Sequence, residues 1–395
     1  MRIALFTDYY PPHVDGGVER VVQQLAQGYA RRGHDVRVFT LNTREAPEFE
    51  AVSPNLRVYR APATELSGLL KVQSTVSTRL YGMTNDALRD APADVLHAHT
   101  SFFYSSLVAA ALSRRTGTPL VTTLHVGSLG EMPLRTRLMA GFYERTLGSL
   151  IMAQSSSVIA VSHAVAGHAE TVGVNPNKLT VIANGVDMDE YAPSPFRRTT
   201  DHLRIVCVGR LIANKGPQHL IEALPALLDV RPDSELDFVG DGPMLDTLRE
   251  RVASLRLQAN VSFLGSRDDV ADILRDSDVF VRPSLTEGMP LAVLEAMACG
   301  LPTIATAVGG TGEVIRHLYN GLLVAPCDVA GLTKALIDVA TDAALRNHLG
   351  CNARLSVAAD FSWDRVIDTN LDIYEEVLGL PERVPEFVTP TRRAA

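Results

Sequence analysis

Along the chain, short runs of β-branched and apolar residues alternate with longer stretches whose apolar positions recur at helical spacing. The alternation is laid out twice. In the first half the short runs are RIALFT (2–7), DVRVFTL (35–41), DVLHAH (94–99), PLVTTLH (119–125), SSVIAVS (156–162) and KLTVIAN (178–184). In the second half they are LRIVCVG (203–209), SELDFVG (234–240), NVSFLG (260–265), DVFVRPS (278–284), PTIATA (302–307) and GLLVAP (321–326). Near-continuous apolar strands separated by helices predict a parallel sheet covered on both faces. GVERVVQQLAQGYARRG ends on Gly33, as a helix C-terminus should.

Two such sets predict an α/β protein of two doubly wound, Rossmann-like domains, and 395 residues exceed the size at which a single core stops growing. The polar, proline-bearing stretch APSPFRRTTDH (192–202) is the candidate hinge. It divides the chain into a first domain over 1–195 and a second over 196–362. The apolar periodicity of WDRVIDTNLDIYEEVLG predicts a packed helix over 363–380, and the polar, proline-rich remainder, 381–395, predicts a frayed tail. Ligands of doubly wound sheets bind beyond the carboxyl ends of the strands, so two of them facing one another place the site in the cleft between.

Composition narrows the function classes. The formal net charge of −8 argues against a nucleic-acid partner. Residues 1–195 hold 17 basic and 17 acidic side chains and residues 196–395 hold 20 and 28, so the acidity lies in the second half. No apolar run reaches the roughly 18 residues that span a bilayer, and MRIALFTDYY lacks the extended apolar core of a signal peptide. The expectation is a cytoplasmic protein. Cys207, Cys299, Cys327 and Cys351 show no metal-ligand spacing and are expected to be reduced. Arg135 and Arg137 stand among apolar residues in MPLRTRLMAGFYERTLGSLIM, a pattern shared by a core-packed helix with solvated arginines and by a surface helix that meets anionic lipid at the inner face of a membrane.

The segment TEGMPLAVLEAMACG (286–300) carries the most chemistry. Pro290 suits the first position of a helix, because its missing N–H would be unpaired there anyway. The helix N-terminus then faces the loop at Gly288 and Met289 and forms a seat for phosphate or sugar oxygens. Glu287 just before it and Glu295 within the helix would repel a phosphate but suit hydroxyl groups. A ligand with both a phosphate and polyol rings meets both demands, whereas a helix cap and a solvated surface glutamate explain the same spacing without a ligand.

Other strand-end groups point into the same cleft. Gly16 and Gly17 open a helix after the first strand, where backbone can approach an anion closely. They lack the GxGxxG fingerprint of dinucleotide enzymes. Arg210 and Lys215 stand five positions apart in GRLIANKG and could meet a diphosphate with one fork and one point charge. VGDGP (239–243) closes another strand, bordering a base or simply turning the chain. His97, His99 and His125 also lie at strand ends. Their spacing offers no local metal-ligand pair, and His125 is the one expected beside a sugar. Asn184 and Gly185 are expected to end the first domain near the cleft.

In this order and at these separations, GGVER, TTLHV, VIANGVD, GRLIANKG, VGDGP and TEGMPLAVLEAMACGLP with VGGTGEVI resemble the retaining family 4 glycosyltransferases of GT-B fold, over about residues 1–380. The resemblance implies that Glu287 holds hydroxyls of the donor sugar and Glu295 those of the nucleotide ribose. It implies that Arg210, Lys215 and the N–H groups near Gly16, Gly17 and 288–291 bind the diphosphate, and that His125 lies beside the transferring sugar. It further implies a last helix that returns to the first domain, no metal and no cofactor beyond the donor. The reaction implied is transfer from a nucleoside diphosphate sugar, uridine or guanosine based, to an acceptor hydroxyl; the apolar and basic stretch at 132–154 would fit a lipid-linked or polysaccharide acceptor. A nucleotide-sugar 2-epimerase of the same architecture and a non-catalytic nucleotide-sugar binding protein are the alternatives.

Overall fold

The computed structural model describes residues 1–13, 16–43, 45–65, 75–127, 134–194 and 202–381. Two sheets organise it. The first has the order β10-β9-β8-β7-β1-β2-β4-β3, with β1 Arg2–Phe6, β2 Asp35–Asn42, β3 Phe49–Ser53, β4 Leu56–Pro62, β7 Val95–His99, β8 Leu120–Leu124, β9 Ser157–Ala160 and β10 Leu179–Val181. Only β3 runs antiparallel to its neighbour. The short strands β5 (Thr64–Glu65) and β6 (Thr75–Val76) pair apart from it. The second sheet, β13-β12-β11-β14-β15-β16, is parallel throughout, with β11 Arg204–Val208, β12 Glu235–Val239, β13 Val261–Gly265, β14 Val279–Arg282, β15 Thr303–Thr306 and β16 Leu322–Val324.

All twelve expected strands are present. The hairpin β3–β4 and the pair β5–β6 were not expected. Every residue of β3 but its last is exposed, so it leaves no apolar pattern to read. The central strands β1, β7, β8 and β14 are buried on both faces, which is why they read as unbroken apolar runs. In each sheet the strand order reverses beside the first strand, between β1 and β7 and between β11 and β14. The carboxyl ends of these strands are therefore where a doubly wound fold offers a ligand site.

Two chain crossings join the halves and lie side by side. Val186 pairs in parallel with Ser362, and its N–H donates to the Phe361 carbonyl at 2.8 Å. Gly185 lies against Trp363 so closely that any Cβ there would sit within 3.0 Å of its ring. The helix Trp363–Val377 then returns to the first domain, where Trp363, Ile367, Leu371 and Tyr374 share a core with Ile3, Val22, Leu25 and Tyr29. Gly28 provides the space into which Ile367 packs, and Arg32 bonds to Asp364 and Asp368 at 3.0 and 2.8 Å. Most of the expected hinge, 192–202, and the expected tail from 382 onward lie outside the described residues.

A second core crosses the domain boundary. Leu124, Val161 and Val165 of the first domain pack with Met289, Val293 and Val314 of the second. The segment 286–300 is thereby held against the end of β8.

Candidate functional site

Strand β14 ends in a buried arginine, and the site is built around it. Arg282 donates through Nε to Glu287 Oε1 at 2.9 Å and through Nη1 to the Val208 carbonyl at the end of β11. Its guanidinium occupies the space a side chain at Gly209 would need. Ser284 donates to the same Glu287 oxygen at 2.7 Å, and Lys215 Nζ meets Glu287 Oε2 at 2.7 Å. Burial pushes the Glu287 carboxyl up, but Lys215 and Arg282 outweigh it and hold it at about 2. Burial also lowers the Lys215 ammonium, with Glu287 opposing. The carboxylate stays ionised, and with Glu287 as its hydrogen-bond partner among the described residues the ammonium has two further donors.

Arg210 is exposed at the end of β11, unpaired among the described residues, on the loop that also carries Lys215. The helix expected to start at Pro290 instead runs over Leu291–Ala298, with Pro290 extended (ψ 108°) at its N-cap. The Pro290 carbonyl accepts from Val293 at 3.2 Å, so Pro290 closes the first turn from outside it. Proline's φ fits both positions; ψ decides, and here the backbone before it is tied down. Met289 gives its carbonyl to Asn184 Nδ2 at 3.1 Å, and Gly288 gives its own to Gly310 N–H at 2.8 Å. Among the described residues the Leu291 and Ala292 N–H groups are left as the free donors of this helix.

The first domain faces this end directly. Gly16, extended, caps the helix Gly17–Arg31, and a Cβ at Gly17 would lie 3.3 Å from Leu291. Two helix N-termini thus meet across the cleft, which concentrates positive backbone potential there. Any Cβ at Gly288 would collide with the His125 carbonyl, so these two backbones touch. His125 is buried, and burial lowers its imidazole to about 4. Its Nε2 lies 3.1 Å from His99 Nδ1. His97 bonds to the Tyr374 and Thr123 hydroxyls instead, as a core residue. Among the described residues no group of three His, Cys, Asp or Glu is arranged to hold a metal ion.

Glu295 is buried in the same helix, 3.7 Å from Arg20 of the opposite domain. Burial raises its carboxyl, and the Arg20 charge and a Tyr191 hydrogen bond work against that rise. Gly240 and Gly242 of VGDGP pack against the backbone of Gly209 and Leu211, so this loop braces the cationic one.

Sequence reasoning missed Arg282, although a charge closing the apolar run DVFVR was the available signal. It also missed Asp8, just beyond β1. The Asp8 carboxylate accepts the Tyr104 and Ser105 N–H groups at 2.9 and 2.8 Å and so caps the helix Tyr104–Thr116. Burial pushes that carboxyl up to about 6.

Residues 15–190 match the domain described as Glycosyltransferase Family 4, and residues 188–356 match Glycosyl transferases group 1. The chain is 30% identical to one component of the phosphatidylinositol N-acetylglucosaminyltransferase of Arabidopsis thaliana, over 98% of this chain and 86% of that protein. It superposes on sucrose-phosphate synthase from Thermosynechococcus elongatus with a TM-score of 0.81 at 25% identity, covering 96% of this chain and 99% of the other. An Anabaena protein solved with UDP-glucose superposes with a TM-score of 0.75 at 24% identity, covering 94% of this chain and 99% of that one. With two Rossmann-like halves meeting at Gly288 and His125, the chain belongs to the family 4, group 1 glycosyltransferases of GT-B fold.

Proposed function

We propose that the protein moves a glycosyl unit from a nucleoside diphosphate sugar to an acceptor hydroxyl with retention of configuration, in glycoconjugate or polysaccharide biosynthesis. The observation that carries this reading is the Lys215–Glu287–Arg282 assembly beside the free N–H groups of Leu291 and Ala292. Arg210, the two unused donors of Lys215 and those N–H groups suit a diphosphate, with the Gly16–Gly17 turn closing from the other side. Glu295 suits the ribose hydroxyls and Glu287 a hydroxyl of the sugar. Positive charge fixed before the reaction stabilises the departing diphosphate as its negative charge grows, the task a divalent cation performs elsewhere.

Retention by double displacement needs a carboxylate nucleophile. Glu287 is poorly suited to that role, since Arg282, Ser284 and Lys215 already engage both its oxygens. Asp8 is engaged by two backbone N–H groups. Same-face attack, with the leaving phosphate taking the acceptor's proton, is the mechanism that asks least of these groups. A uridine diphosphate sugar is the preferred donor, in keeping with the Anabaena neighbour solved with UDP-glucose.

For the acceptor we propose a lipid-linked hydroxyl compound reached at a membrane surface. Leu138, Phe142 and Leu150 are 67, 72 and 62% exposed on the segment Leu134–Gln154, with Arg145 exposed beside them. The side chains of Arg135 and Arg137 lie outside the described residues. No helix among the described residues is long and apolar enough to cross a membrane, so contact would be peripheral.

Glu287→Gln and Arg210→Ala should each lower transfer by about 100-fold or more. Wild-type rates in both variants would overturn the site assignment. A thermal-shift screen of nucleoside diphosphates identifies the base, since a ligand at 100 times its dissociation constant stabilises by about 2.7 kcal/mol. Conversion of the donor sugar to its 2-epimer without any acceptor would favour the epimerase reading instead. Co-sedimentation with anionic vesicles at low salt tests the membrane surface, and protein left wholly in the supernatant removes it.

A further inference from the structure

The histidines of the first domain form a line that starts in the core and ends in the cleft. His97 is saturated, with Nδ1 on the Tyr374 hydroxyl and Nε2 on that of Thr123. The His99 ring packs against it with centroids 4.2 Å apart, which fixes its plane. On its other side, His99 Nδ1 meets His125 Nε2 at 3.1 Å, the rings inclined by 29°. His99 is fully buried, and its Nε2 has no partner among the described residues. His125 uses Nε2 in this contact, leaving Nδ1 as the nitrogen available to a ligand.

Burial keeps both rings neutral, His125 down to about 4 and His99 well below its ordinary value. A neutral imidazole carries one N–H, so one ring must donate to the other. If His125 donated from Nε2, the His99 proton would sit on its own Nε2 as a buried N–H facing no acceptor. If His99 donates from Nδ1, only a bare lone pair is left at that position. Orphaned buried N–H groups are rarer than under-used acceptors, because a donor stripped of its partner loses its full solvation. The second arrangement is therefore preferred, and it places the proton of His125 on Nδ1.

We propose that His99 is a positioning residue whose Nδ1–H···Nε2 bond to His125 selects the Nδ1–H tautomer of that ring, so that His125 offers the cleft a hydrogen-bond donor for a hydroxyl of the glycosyl unit. The role toward the sugar rests on the transferase reading above; the tautomer does not. Thr123 and Tyr374, by holding His97, hold the ring against which His99 is stacked.

Long-range nitrogen–proton correlation spectra of protein labelled with 15N in its histidines, recorded without ligand, decide the tautomer. The His125 signals are assigned by their loss in His125→Asn. The expected result is a protonated Nδ1. A protonated Nε2 overturns the proposal whatever becomes of the transferase reading. In transfer assays, His99→Phe keeps a ring against His97 and removes the donor, whereas His99→Asn keeps an N–H near the δ position. The Phe variant should lose about tenfold or more in kcat/KM, the worth of one such bond, and the Asn variant about threefold or less. Equal losses in both variants, tracking their thermal midpoints, would make His99 merely structural. A chain that turns over no donor sugar removes the transferase reading and the role toward the sugar with it, while the spectrum still decides the tautomer.

Discussion

Glu287 and Glu295 look alike in the sequence, yet the fold treats them oppositely. Glu287 is held ionised by Lys215 and Arg282 in direct contact, while burial raises the Glu295 carboxyl against the more distant Arg20 charge and a Tyr191 hydrogen bond. Lowering the Glu287 value below that of the unfolded chain means that folding favours its ionised form. Its contribution to stability is complete above about pH 4.5 and is lost as pH falls toward about 2. Glu287→Gln should therefore flatten the acid limb of a stability–pH curve followed by urea unfolding. An unchanged slope would show that the carboxylate is not held as its contacts indicate. Both glutamates were legible as candidates, because an acidic residue flanking a proline-led helix is a local pattern. Their difference was not, since Lys215 and Arg20 reach them from distant parts of the chain, and Arg282, only five residues before Glu287, meets it because of the path the backbone takes between them.

At the level of elements, the central strands were legible because burial on both faces leaves an uninterrupted apolar run, and partly exposed strands such as β12 and β13 because enough apolar positions remain between turn residues. The exposed strand β3 left no such mark. The final helix was legible as amphipathic, while its partner surface is set by small local features: Gly28 beneath Ile367, and the Tyr374 hydroxyl between His97 and Tyr29. Tyr374→Phe removes that hydroxyl and leaves buried polar groups unpaired. It should cost about 1–3 kcal/mol in urea denaturation. Stability equal to wild type would mean that apolar packing alone anchors the helix.

Over the whole molecule, the two halves meet where glycine permits backbone against backbone. At Gly288 a single methyl group would press on the His125 carbonyl. Gly288→Ala should therefore wedge the cleft open by a fraction of an ångström to an ångström, a displacement that can lower turnover by about 100-fold. Each half should keep its own fold, so circular dichroism should stay near wild type while transfer falls, and undiminished transfer would place the reacting groups elsewhere. By itself the sequence determined two parallel sheets, the cleft between them and most of the polar groups at its rim. These follow from periodicity and from strand ends, which are properties of neighbours along the chain. Only the tertiary structure decided that Arg282 completes the site, that His99 reaches His125 and that Pro290 caps its helix from outside. Each of these depends on which groups lie within about 3 Å of one another, the range of a hydrogen bond, and the folded path of the backbone sets that distance, across 26 residues for His99 and His125 and across five for Arg282 and Glu287.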